Sequence, residues 1–139
     1  MADLKVAMAA AASALAAERT RLEVAVSNLA NAESTRGPNG EPYRRRDVVL
    51  STMPFDKMVS TVAPAGVKVV AVVEDQAAFR RRYEPAHPDA DAEGYVALPN
   101  VNPAEEMVDM MSASRAYQAN LAAINLIREV VQRALDLGK

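Results

Sequence analysis

The chain has 139 residues, half of them hydrophobic, yet aromatics make up only 4% and Trp is absent. With alanine supplying much of the apolar content, the composition suits close helix–helix contact better than a broad core of large side chains. A net charge of −2 gives no strong field for nucleic acid or an anionic membrane, and the lack of Cys removes disulfides, thiolate metal sites and a Cys nucleophile.

A helical pattern runs from Asp3 to about Asn31. Met8, Leu15, Leu22 and Leu29 fall at heptad intervals, and Leu4, Ala11, Ala12 and Val26 widen the stripe. At the usual rise such a helix is about 40 Å long. Val6–Ala17 is apolar or small after Lys5, but it is Ala-rich, follows Asp3, and merges into the helical pattern. It is expected to belong to the mature protein rather than to a cleaved secretory signal. Nothing in the chain has the apolar length of a membrane span, so no membrane insertion is expected. Asn31, Ser34, Gly37, Pro38, Asn39, Gly40 and Pro42 end the helix with turn and breaker residues.

The middle, roughly Glu33–Asn102, contains short strand-like runs. Tyr43–Leu50 follows and includes the Arg44-Arg45-Arg46 triplet. Val67–Val73 is short and β-branched, and Phe79–Tyr83 and Tyr95–Leu98 are weaker. Ser51–Ala65 reads as loop. Four short strands predict a small β-rich insert.

Asn102-Pro103 opens a second helix: Asn caps, Pro fits the first helical position, and Glu105 and Glu106 sit where the dipole favours negative charge. Met107, Met110, Met111, Tyr117, Leu121, Ile124, Ile127, Val131 and Leu135 form its apolar stripe, over a length of about 50 Å, with Gly138 as its stop. The expected fold is therefore mainly α with a small β-rich insert. The long terminal helices pair as an antiparallel helical hairpin or coiled coil. The division is 1–32, the N-terminal helix; 33–102, the central β-rich and loop region; and 103–139, the C-terminal helix. The stripes are too long for the insert to cover, so pairing plus contact with other copies is the economical way to bury them.

No catalytic constellation is present: there is no Gly-x-Ser-x-Gly elbow, no phosphate-binding Gly loop and no paired His and nucleophile, so no enzyme activity and no cofactor are expected. His87, Asp89 and Asp91 could be read as divalent-metal ligands. Pro85 and Pro88 make an ordered turn, with the Asp side chains bonding nearby N–H groups, the better expectation, so no metal is expected. The triplets Arg44-Arg45-Arg46 and Arg80-Arg81-Arg82 are flanked by Tyr43, Phe79 and Tyr83, but arginines on a strand alternate faces. They are read as solvated or subunit-contact residues rather than as a nucleic-acid surface. Met107, Met110 and Met111 are read as packing positions rather than a promiscuous groove.

Several segments together resemble a known family. Ser27-Asn28-Leu29-Ala30-Asn31-Ala32-Glu33-Ser34-Thr35 resembles the N-terminal signature of bacterial flagellar axial proteins, the subunits of rod, hook and hook–filament junction. Tyr83-Glu84-Pro85-Ala86-His87-Pro88-Asp89-Ala90-Asp91-Ala92-Glu93-Gly94-Tyr95-Val96 and Pro99-Asn100-Val101-Asn102-Pro103-Ala104-Glu105-Glu106-Met107, continuing through Tyr117-Gln118-Ala119-Asn120, are similar to the proximal-rod members. The resemblance implies a structural subunit exported without a cleaved signal through the flagellar type III apparatus. It also implies assembly with other rod proteins and with copies of itself in the periplasmic rod of the basal body, transmitting torque from motor to hook. Asn28, Asn31, His87, Pro88, Asp89, Asp91, Gly94, Tyr95, Asn100, Asn102, Glu106 and Met107 carry the family motif. Met8, Leu15, Leu22, Leu29, Tyr117, Leu121, Ile124, Val131 and Leu135 are the expected helix-pairing and assembly positions. The rival expectation is a helical adaptor or export-related protein that never polymerises.

Overall fold

A computed structural model describes residues 2–53 and 66–137. The expected loop at Ser51–Ala65 and the expected stop at Gly138 therefore fall mostly outside the described residues; Ser51–Met53 belong to a strand. The elements are α1 (Ala2–Ala30), β1 (Arg46–Met53), β2 (Gly66–Glu74), β3 (Arg80–Tyr83), β4 (Tyr95–Leu98) and α2 (Pro103–Asp136). This is the expected pair of long terminal helices around a small antiparallel β region.

Neither helix has an internal Gly or Pro beyond the Pro103 at the start of α2, so nothing interrupts their hydrogen-bond ladders. The chain leaves α1 by tightening: Ala32 N donates to Leu29 O, and the Asn31 amide reaches back to Ser27 O at 2.8 Å. Gly40, at φ +80°, then completes a turn that β-carbon-bearing residues adopt poorly. At the other end Asn102 caps α2: its Oδ1 accepts from Ala104 N at 3.1 Å, and Pro103 follows.

The helices pack on each other along their lengths, and the β1–β2 ribbon lies against α1. Ser13 on α1 accepts from Val67 N at 3.0 Å and so fixes the start of β2. β1 and β2 are antiparallel from Arg46↔Glu74 to Met53↔Gly66, with a register shift between Val49 and Leu50 that leaves Val70 as the extra residue. β3 and β4 form a separate short hairpin, Arg80↔Leu98 to Tyr83↔Tyr95.

The deepest positions of the helical seam are small. Ala17, Ala25 and Ala113 are buried, whereas the heptad residues Met8, Leu15, Leu22 and Leu29 are only half-buried. Small residues let two backbones approach, and the longer side chains then flank the contact. A second buried cluster gathers Val96, Leu98, Pro99 and Val101 just before α2. No described helix is long and apolar enough to cross a membrane.

Candidate functional site

Two features stand out: a buried polar node where the ends of the helices meet, and an apolar stripe left uncovered along α2.

The node begins with Asn28, 1% exposed, near the end of α1. Its side chain uses every hydrogen-bonding position it has. Nδ2 donates to Arg46 O at 2.8 Å and to Glu106 Oε2 at 3.0 Å, and Oδ1 accepts from Arg46 N and from the Tyr43 hydroxyl, both at 2.9 Å. Glu106, also 1% exposed, accepts the Arg45 Nε hydrogen at 2.6 Å. Arg45 is ringed further by Asp47 at 3.7 Å and Asp109 at 3.6 Å. Burial alone would lower the Arg45 guanidinium, but the hydrogen bond and charge of Glu106 outweigh it and hold the group above its ordinary value. Asn100 extends the node: its Oδ1 accepts from Arg45 N at 2.8 Å, and its amide donates to Asp75 O and Ala77 O. Four segments far apart in sequence are thus joined by side chains of one cluster.

Sequence reasoning singled out Asn28, Asn100 and Glu106 through the family motif and explained Glu106 by its place in the first helical turn. The structure adds its partners, Arg45 and Tyr43. The arginine triplets are neither simply solvated nor reserved for neighbours. Arg80 ties Ala32 O to Pro99 O at 2.8 and 2.9 Å. Arg82 pairs with Glu33 at 2.8 Å, and Arg81, on the opposite face of the strand, pairs with Asp91 at 2.8 Å. The Arg82 hydrogen bond holds the Glu33 carboxyl below its ordinary range. Backbone donation from Tyr95, then Arg81, does the same for Asp91. Signals for these pairings existed only as matching charges, whose partners are set by the three-dimensional path of the chain.

The loop before β4 is an ordered turn. His87 Nδ1 accepts from Asp89 N, Asp89 binds Thr35 Oγ1 at 2.8 Å and Arg36 at 3.0 Å, and Asp91 Oδ1 accepts from Glu93 N and Tyr95 N. The three candidate ligands face different partners, and among the described residues no group of His, Asp and Glu converges as a metal site. Gly94, at φ +85°, closes the turn beneath the Tyr83 ring, which meets Tyr95 edge-on with centroids 5.2 Å apart.

The motif residues Asn31, Asn100 and Asn102 lie at the helix boundaries, and Pro88 and Met107 are exposed. Of the expected assembly positions on α2, Tyr117, Ile124 and Val131 are half-buried, and Leu121 and Leu135 are exposed. Exposed beside them are Val108 at 66%, Leu126 at 62%, Met107, Met111 and Val130. Between the helices, Leu22, Val26, Met110, Met111 and Ser114 line an open apolar groove of about 410 Å³. The apolar surface along α2 thus exceeds what α1 covers.

Comparison with known proteins places this architecture in a class. The family described as "Flagella basal body rod protein" matches residues 8–38, most of α1 and its exit turn, and "Flagellar basal body rod FlgEFG protein C-terminal" matches residues 92–137, which contain α2. Over 93% of both chains, the chain is 49% identical to the flagellar basal-body rod protein FlgC of Salmonella typhimurium. It is 44% identical to that of Bacillus subtilis, over 92% of this chain and 93% of the relative. The corresponding Aquifex aeolicus protein is 38% identical over the whole of both. The chain belongs to the FlgC family of flagellar basal-body rod proteins.

Proposed function

We propose that the chain is a non-enzymatic structural subunit of the bacterial flagellar basal-body rod, where it assembles with other rod proteins and with copies of itself. The observation that carries the reading is the uncovered stripe on α2. Val108, Leu126, Val130 and Leu135 stay in water although α1 is already paired with the helix. At about 25 cal/mol per Å² of apolar surface removed from water, neighbouring subunits have a strong reason to cover it. The likeness to basal-body rod proteins favours this reading over a helical adaptor that never polymerises.

The contact between copies is heterologous: one face of a subunit meets a different face of the next, so it need not close on itself and builds a tube. The long uninterrupted helices then carry torque from motor to hook through close-packed side chains. In this reading 1–32 and 103–139 form the assembling shaft and 33–102 packs outside it. Leu15, Leu22, Leu29, Tyr117, Leu121, Ile124 and Val131 serve pairing within the subunit and contact between subunits. Val6–Ala17 lies within α1, with Ala17 buried, which supports its retention in the assembled protein; delivery by the flagellar type III export apparatus belongs to the same reading. The engagement of Arg45, Arg80, Arg81 and Arg82 by acceptors of the same chain favours structural contacts over nucleic acid as their role.

The test is a Leu121→Asp, Ile124→Asp double variant expressed in a flagellated host whose own rod gene is deleted. Export continues, while assembly into purified basal bodies and swimming are lost. Normal swimming with the variant present in basal bodies overturns the assignment.

A further inference from the structure

We propose that the buried Asn28–Glu106–Arg45 node is a register lock, which selects one axial alignment of α1 on α2 that the heptad-spaced residues of the seam by themselves do not distinguish.

The seam repeats itself. On α1, Met8, Leu15, Leu22 and Leu29 recur every seven residues, and on α2 so do Met110, Tyr117, Ile124 and Val131. Sliding one helix past the other by a heptad sets each of these half-buried side chains where another stood, whereas within the helices the buried alanines, Ala17, Ala25 and Ala113, do not recur at that interval. The shift is about 10 Å at 1.5 Å per residue. The node has no such repeat. A heptad slip sets Asn28 against Ala113 or Pro99, leaves Glu106 without its amide donor, and strands a carboxylate that is now buried and hydrogen-bonded on both oxygens. A buried ion pair is weak evidence for net stability, because desolvation offsets the attraction, and its best-attested use is specifying one arrangement among near-equivalent ones. Of the four hydrogen bonds of Asn28, the one to Glu106 Oε2 crosses to α2, and a slipped alignment breaks it together with the Arg45–Glu106 pair; the three to Tyr43 and Arg46 fix the orientation in which Asn28 makes it. The inference concerns the fold of one chain and does not depend on the rod reading.

The chain has no Cys, so introduced pairs report without background. Met8 shares a surface groove with Ile127 and Val131. Met8→Cys is combined in turn with Asn120→Cys, Ile124→Cys, Ile127→Cys, Val131→Cys and Ala134→Cys in the purified full chain, and disulfide formation is read as a mobility shift on a non-reducing gel. A heptad slip is larger than the Cα separation a disulfide spans, about 4.4–6.8 Å, so the profile is sharp. In the otherwise unaltered chain, crosslinks form at 127 and 131. In an Asn28→Leu, Arg45→Met, Glu106→Leu background, helical circular dichroism is retained and crosslinks at 120, 124 or 134 rise at least fivefold. Glu106→Gln keeps the shape but has one acceptor oxygen in place of two, so it retains a single one of the hydrogen bonds from Asn28 Nδ2 and Arg45 Nε, and its profile broadens less than that of the triple background. Three results overturn the proposal. A sharp profile in the triple background assigns the register elsewhere, as to Arg80 beyond the helix ends. Loss of helix in that background makes the node a stability element. A parent without the 127 crosslink means the node does not hold the pair in a single chain.

Discussion

Asn28→Ala is the most informative single change to the molecule. The substitution removes the four hydrogen bonds of a side chain that is 1% exposed. Tyr43 has a fallback, since its hydroxyl lies 3.4 Å from Ser27 Oγ. The Arg46 N–H and C=O and the Glu106 Oε2 have none in place. A buried polar group left without a partner costs about 1–3 kcal/mol, so the loss is about 3–5 kcal/mol, a large part of the roughly 5–15 kcal/mol that holds a domain together. With a urea slope of about 1–3 kcal/mol per molar, the midpoint of unfolding, followed by circular dichroism, falls by about 2 M. A companion, Asn28→Asp, separates hydrogen bonding from charge. It places a carboxylate where the amide nitrogen now sits, 3.0 Å from Glu106 Oε2. A like charge at that distance raises the folded pKa of the introduced carboxyl above its unfolded value. The stability this group retains is fully present below the unfolded pKa and is lost as pH rises through the raised folded one, so the deficit against the parent grows between pH 4 and pH 7. A loss under about 1 kcal/mol for Asn28→Ala, or a deficit for Asn28→Asp that does not change with pH, refutes this account of the node.

Acid acts on the β3–β4 hairpin through Asp91 and Glu33, whose folded pKa values are depressed below 3.8 and 4.5. Their contribution is complete above those ordinary values and disappears as pH falls through the lower folded ones, so amide exchange in the Glu84–Tyr95 turn, read by NMR, rises below about pH 4, and Asp91→Asn shows the opening already at pH 7. Gly94→Ala puts a Cβ 2.9 Å from the Tyr83 ring at φ +85°, and is expected to destabilise by about 1–3 kcal/mol in thermal melts; an unchanged midpoint would show that the turn adapts. Ala113→Leu forces the alanine seam apart, at a cost of about 1–3 kcal/mol in urea unfolding, while the same change at exposed Ala122 is near neutral.

The architecture was legible because its signals are local and periodic. Uninterrupted apolar spacing marks both helices, Asn102-Pro103 marks the start of α2, and the β-branched run at Val67–Val73 marks β2. The strand Arg46–Met53 begins later and runs further than the expected Tyr43–Leu50, because pairing with β2 starts at Arg46 and recruits Ser51 and Thr52 regardless of their side chains. Two things were not legible. Leu15 and Leu22 are expected as pairing positions, while the more deeply buried Ala17 and Ala25 carry no such signal, since close backbone approach favours the smallest side chain and only the crossing geometry reveals it. Glu106 read as a dipole-stabilised first-turn acid, and its neighbour Glu105 fits that role in the open. What buries Glu106 is an arginine and an asparagine distant in sequence, which no local window contains.

The alanine seam also sets how thin the subunit is. Helix axes separated by small side chains lie near the lower end of the usual range, about 8 Å apart. In a cylindrical wall made of such pairs, each molecule takes up little circumference, and the spacing of neighbours becomes sensitive to single methyl groups on the inner face. Enlarging Ala17, Ala25 or Ala113 would widen every wedge around the ring at once, so that a small defect within one molecule would become a change in the curvature of the whole cylinder.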